Sequence, residues 1–195
     1  MRIRSLMTTL AVALTLVGAA GAQTQTWTID PMHSAAHFSV RHGGISTVRG
    51  SFTKISGTVQ YDPSAPNKTV VEATIDAASV DTGVAPRDND LRGDSFFDVA
   101  KYPTLTFKSK RVEAAGAGKL KVTGDLTIHG VTKEVVLDVD GPEIQKDPKG
   151  HMHMGAAAST KINRKDFGVS GASMMVGDDV PITIDLELGQ KPPAS

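Results

Sequence analysis

Residues 120–140, LKVTGDLTIHGVTKEVVLDVD, decide the fold class. Leu120, Val122, Leu126 and Ile128 alternate with Lys121, Thr123, Asp125 and Thr127. After His129-Gly130 the alternation resumes through Val131, Val135, Leu137 and Val139. A period of two makes a strand with one dry face and one wet face, which is the pattern of antiparallel sheet. The His129-Gly130 link is short enough for a tight hairpin. Outward from this stretch the same alternation returns at Val180, Ile182, Ile184, Leu186 and Leu188. Further strands are expected at 26–30, 35–41, 45–61, 69–76, 104–113 and 152–162, with Gly, Pro, Asp and Asn clusters between them. Helical periodicity is almost absent. About eight strands in one meander suffice to close an antiparallel barrel and remove its edges, although two packed sheets would show a similar pattern.

Two irregularities refine this reading. In 45–61 the apolar phase is even at Val48 and Phe52 and odd at Ile55 and Val59, so a bulge or sharp bend is expected near Thr53-Lys54. In 81–103, Pro86 at a first helical position with acidic residues in the first turn suggests one short helix. Phe96 and Phe97 follow it and are expected to fold against a barrel mouth.

The N-terminus reads as an export signal. Arg2 and Arg4 precede an apolar stretch from Leu6 to Val17, and Ala20-Gly21-Ala22 forms a small-x-small cleavage site. The apolar run is too short to span a bilayer core of about 30 Å. Residues 1–22 are therefore expected to be cleaved, leaving a single domain over 23–190 and a frayed Pro-rich tail at 191–195. Periplasmic location follows as an expectation. Without Arg2 and Arg4 the acidic side chains exceed the basic ones by two, and no basic run appears, which argues against nucleic acid as a partner. The absence of Cys rules out disulfides, thiol chemistry and lipoprotein attachment.

Motifs for catalysis are scarce. There is no His-Glu-x-x-His, no Gly-x-Ser-x-Gly and no Walker loop. His151 and His153 share one face of a strand, but no third ligand stands at a convincing spacing, so no metal is expected. His33 and His37 are four apart, a helical ligand spacing, on a segment that reads as strand. Arg87 and Arg92 flank acidic residues in the helical insertion; surface ion pairs explain them, and a head-group contact at the barrel mouth is the functional alternative. The apolar residues carry more. Phe38, Val40, Phe52, Phe107, Leu126, Leu137, Met154, Phe167, Met174 and Met175 exceed what one face of thin strands needs, and methionines suit a wall that adapts to a flexible chain.

Several local patterns coincide in order along the chain: Ile29-Asp30-x-x-His33, Phe38-x-Val40-x-His42, Gly50-x-Phe52, Val80-Asp81-Thr82, Arg87-Asp88-x-x-Leu91-Arg92, Lys101-Tyr102-Pro103, Gly124-Asp125-Leu126-Thr127-Ile128 and Asp166-Phe167. With them the chain resembles the YceI-like periplasmic proteins. The resemblance implies an eight-stranded, lipocalin-like barrel whose lumen holds the tail of a polyisoprenoid, either an isoprenyl phosphate or a quinone. Carried over by position, it makes Phe38, Val40, Phe52, Leu91, Phe97, Phe107, Leu126 and Phe167 candidate lipid contacts. It implies no catalytic residue and no cofactor beyond the bound lipid, and it fits a carrier that touches membranes transiently. Two other readings stay open: a periplasmic hydrolase or isomerase using His33 or His42 with an Asp, and a filled barrel serving as a structural or stress-interaction module.

Overall fold

The computed structural model describes residues 24–190. The expected signal peptide and C-terminal tail lie outside the described residues.

Eleven strands build a closed barrel of eight antiparallel staves. β1 (Gln25–Ile29) and β2 (Ala35–His42) run end to end along the same neighbour, β11 (Asp179–Gln190). Ile29 stands opposite Leu188, and Ala35 opposite Asp185. β3 (Ser46–Phe52) and β4 (Ile55–Tyr61) form the second stave, pairing with β2 and β1 respectively. β5 (Val70–Asp76) and β6 (Val80–Asp81) form the third. β7 (Thr104–Ala114), β8 (Lys119–Ile128), β9 (Val131–Lys146), β10 (Met152–Asn163) and β11 follow as neighbours in chain order, and the β1–β11 ladder closes the ring.

The first three staves are interrupted at one level, at 30–34, 53–54 and 77–79. The break after Phe52 is the bend expected from the phase slip, because one uncounted residue would otherwise turn Ile55 and Val59 outward. His129 and Gly130 both have positive φ, the conformation of a primed two-residue hairpin turn. β9 runs on past Gly141-Pro142, further than its alternation suggests. There two residues of β9 face the single Ala156 of β10, so Pro142 sits in a bulge where no ladder N–H is required.

The connection between β6 and β7 holds helix α1 (Ala85–Arg92), which begins one residue before Pro86. It lies at the upper rim together with the β2–β3 tip, the His129-Gly130 turn and the 164–178 loop. Inside, Trp27, Ile29, Met154 and Leu188 fill the lower end. Phe52, Val80, Leu105 and Phe167 pack under the upper rim, with Phe96 and Phe97 against them as expected. Met154 is a wall residue, but Met174 and Met175 are not; both are exposed on the 164–178 loop. His33 lies on the turn between β1 and β2, in the gap between the strands expected at 26–30 and 35–41.

Candidate functional site

Residues facing inward alternate along every stave, and between the packed ends they leave a cavity of about 230 Å³ with walls almost wholly of carbon. An engineered apolar cavity of about 150 Å³ stays dry and takes benzene, so a space of this size and chemistry favours an apolar guest. All eight positions expected to touch lipid line it: Phe38, Val40, Phe52, Leu91, Phe97, Phe107, Leu126 and Phe167. They come from β2, β3, α1, the segment after α1, β7, β8 and the 164–178 loop. Sequence separation therefore hides a contiguous wall.

The aromatic rings are mutually braced. The Phe38 and Phe52 centroids lie 5.8 Å apart, and Phe97 meets Phe52 edge-on at 5.3 Å. The eight positions are not equivalent. Phe52 and Phe167 are buried in the packed upper core, whereas Phe38, Phe97, Phe107 and Leu126 keep surface open to the lumen.

Arg87 and Arg92 are not among the lining residues. Arg87 donates from Nε to Thr82 Oγ1 at 2.7 Å and from Nη2 to the Thr82 carbonyl at 3.0 Å. Arg92 donates to the carbonyls of Ala78 and Val80, both at 2.8 Å. Asp88, buried between them, accepts from the Thr82 hydroxyl at 2.6 Å and the Thr82 N–H at 2.9 Å. The Thr82 hydroxyl, with help from its N–H and both arginines, holds the Asp88 carboxyl below the usual carboxylate range despite its burial. The three charged residues thus tie α1 to the 77–82 segment at the rim.

One lining residue had no sequence signal: Arg164 is buried at the top of β10. Its guanidinium donates to the carbonyls of Gly177, Val169, Gly171 and Val176 at 2.8–3.0 Å, and Asp178 Oδ1 lies 3.5 Å away. With its donors committed, it adds little polarity to the lumen. An isolated Arg in a loop carries no pattern, so only the fold reveals it.

Three of the six histidines, His33, His151 and His153, stand on the outer wall. His151 Nδ1 lies 3.0 Å from Asp147, and His153 Nδ1 lies 3.1 Å from Glu187 Oε1. Burial works to raise Asp147, but N–H groups of His151 and Lys149 and the His151 ring outweigh it and hold the carboxyl at about 2. His33 pairs with Asp30 at 2.9 Å. Among the described residues, Asp30, His33 and Glu187 bring ligand atoms within 4.8 Å of one another, a group that includes neither His151 nor His153. For catalysis the His33–Asp30 pair lacks a nucleophile; among the described residues no hydroxyl hydrogen-bonds its ring.

Comparison with known proteins agrees with this architecture. A UPF0312 protein of Vibrio cholerae is 37% identical over 169 residues, covering 86% of this chain and 89% of the relative. One from Azotobacter vinelandii is 33% identical over 187 residues, covering 95% and 97%. Among solved structures, Burkholderia cenocepacia BcnA superposes with a TM-score of 0.72 at 28% identity, covering 82% of this chain and 98% of BcnA. Campylobacter jejuni YCEI protein gives 0.69 at 36% identity, covering 75% and 87%. A polyisoprenoid binding domain from Saccharophagus degradans shares the fold, with a TM-score of 0.63 at 19% identity over 87% of this chain and 100% of that domain. The model of the YceI-like domain matches residues 27–188, nearly the whole described barrel, and the chain belongs to that family.

Proposed function

We propose that this protein is a lipid-binding barrel that holds a polyisoprenoid in its lumen and shuttles it, as an isoprenyl phosphate or quinone, through the periplasm. One observation carries the reading: eight positions scattered from Phe38 to Phe167 converge on one apolar cavity. Family membership and the name of the Saccharophagus degradans neighbour support it. Burying a prenyl chain is favourable by roughly 0.8 kcal/mol per methylene-sized group, and a wall whose polar groups are already committed, as those of Arg164 are, leaves no donor unpaired against the chain. Part of that gain is offset by ordering the chain and by the membrane it leaves. The protein's role is binding rather than catalysis, and the lumen takes no cofactor other than the lipid.

The polar end of the ligand belongs at the upper rim, where Arg87 and Arg92 offer the N–H groups left over from their bonds to Thr82, Ala78, Asn89 and Val80. Mass spectrometry of an organic extract of the purified protein tests the proposal. A stoichiometric isoprenoid is expected. A clean extract, together with no uptake of a prenyl phosphate or a quinone from detergent, would leave the barrel without a cargo.

A further inference from the structure

The outer wall beside the closing ladder collects donors that the lumen does not use. Asp30 and His33 sit on the turn between β1 and β2. Glu187 lies on β11 between the cavity-lining Leu186 and Leu188, so its side chain points outward. One ligand atom from each of these three residues lies within 4.8 Å of the other two. The backbone beneath them is fixed. Asp30 N–H donates to the Glu187 carbonyl at 2.8 Å. The buried Ser34 hydroxyl donates to that same carbonyl at 3.1 Å and accepts from Glu187 N–H at 3.0 Å.

His153 adjoins this trio from β10, with Nδ1 3.1 Å from Glu187 Oε1 and Nε2 3.6 Å from Asp147 Oδ2. The residues facing His153 and Glu187 across the ladder are Gly189 and Gly155. Neither has any atom within 4 Å of where a Cβ would stand, so the floor between the donors is open.

We infer that Asp30, His33, Glu187 and His153 form a zinc site. Two imidazole nitrogens and two carboxylate oxygens are a donor set that zinc takes in tetrahedral geometry. Ligand distances of about 2.0–2.2 Å require donors about 3.4 Å apart. The His33–Asp30 and His153–Glu187 pairs already stand at 2.9 and 3.1 Å, and rotation of half-exposed side chains brings the pairs together. On binding, each imidazole coordinates through a deprotonated nitrogen and any proton shared with its carboxylate passes to solvent. The ion links β10, β11 and the β1–β2 turn across the closing ladder, where only three residue pairs join β1 to β11. Zinc therefore clamps the seam of the barrel, and anything that binds the folded state alone raises its stability.

The test is titration of EDTA-treated, desalted protein with zinc chloride, by calorimetry and by melting temperature. One saturable site and a rise in melting temperature are expected. His33→Asn, Glu187→Gln and His153→Asn are each expected to weaken binding about tenfold or more. All three residues are surface groups, and an unchanged far-UV circular dichroism spectrum verifies the fold of each variant. His151→Asn removes a neighbouring imidazole and is expected to leave zinc affinity intact. Absence of saturable binding overturns the site. So does an equal melting shift with magnesium chloride, which would mark diffuse cation attraction. A loss in His151→Asn matching that in His33→Asn would move the ion to Asp147 and overturn the assignment.

Discussion

Gly50 faces the lumen on β3 directly opposite Phe38 on β2, and the Phe38 ring lies across it. A Cβ at Gly50 would stand 2.5 Å from Phe38 Cζ and 2.8 Å from Thr82 Cγ2. Gly124 receives the Phe107 ring in the same way, with Phe107 Cζ 2.5 Å from a Cβ placed there. These glycines act by leaving room for rings to lie flat against the wall. Gly50→Ala is therefore expected to push Phe38 into the cavity and lower lipid recovered per mole of protein, measured by extraction beside wild type. The phenylalanines themselves should separate. Phe52→Ala empties a packed core site and should cost about 3–5 kcal/mol in denaturant unfolding. Phe38→Ala borders open lumen and should cost less while reducing lipid retention. Chemical unfolding with equal losses for both would contradict that division. The aromatic positions were legible through the resemblance to the YceI-like proteins, and for Phe38, Phe52 and Phe107 strand alternation agrees with an inward face. The work of the two glycines was not, since it depends on which ring the neighbouring strand brings across.

At the scale of elements, the upper rim is held by charged side chains that bond to backbone. Arg164 gathers four carbonyls of the 164–178 loop, which no single ammonium can reach. Arg164→Lys should strand several buried carbonyls and cost about 2–4 kcal/mol in an unfolding titration. A loss within the error of the measurement would mean that the loop does not depend on this network. Asp88 ties α1 to Thr82, and its carboxyl is held below the ordinary range. A depressed folded-state value contributes stability that is fully present above the unfolded value, about 3.9, and is lost as pH falls through the folded one. Wild type should thus lose stability below about pH 4 more steeply than Asp88→Asn. Melting curves across that range, with parallel acid limbs for the two proteins, would remove Asp88 from this role. The insertion was visible from Pro86 and its acidic first turn. Its fastening was not, since Ala78, Val80 and Thr82 accept these bonds only once β6 is paired with β3.

The whole molecule has distinct ends. At the upper rim Ile45 on the β2–β3 tip and Met174 and Met175 on the 164–178 loop are exposed, Ile45 by 87% and Met174 by 98%. Gly43 N–H donates to the Met175 carbonyl at 2.7 Å, so tip and loop form one surface, and the adjoining Val40 and Val176 line the lumen. An apolar rim continuous with an apolar interior suits transient contact with a bilayer. The double variant Ile45→Asp and Met174→Asp should lower co-flotation with phospholipid vesicles and slow lipid transfer, while the melting temperature stays near that of wild type. Unchanged flotation and transfer would remove this rim as the membrane face. The sequence by itself determined antiparallel strands, the bend after Phe52 and the short helix, while the resemblance to the YceI-like proteins implied the closed barrel and its lumen positions. The strands and the bend follow from local periodicity, since side chains alternate between faces wherever a strand forms, and the helix follows from Pro86 and its acidic first turn. Only the tertiary structure decided that Arg164 staples a loop, that Arg87 and Arg92 fasten α1 to its neighbour, and that His33 and His153 meet at Glu187 across the closing seam. The last of those contacts joins residues as far apart in the chain as His33 and Glu187, and no local pattern encodes a distance that exists only after the ring has closed.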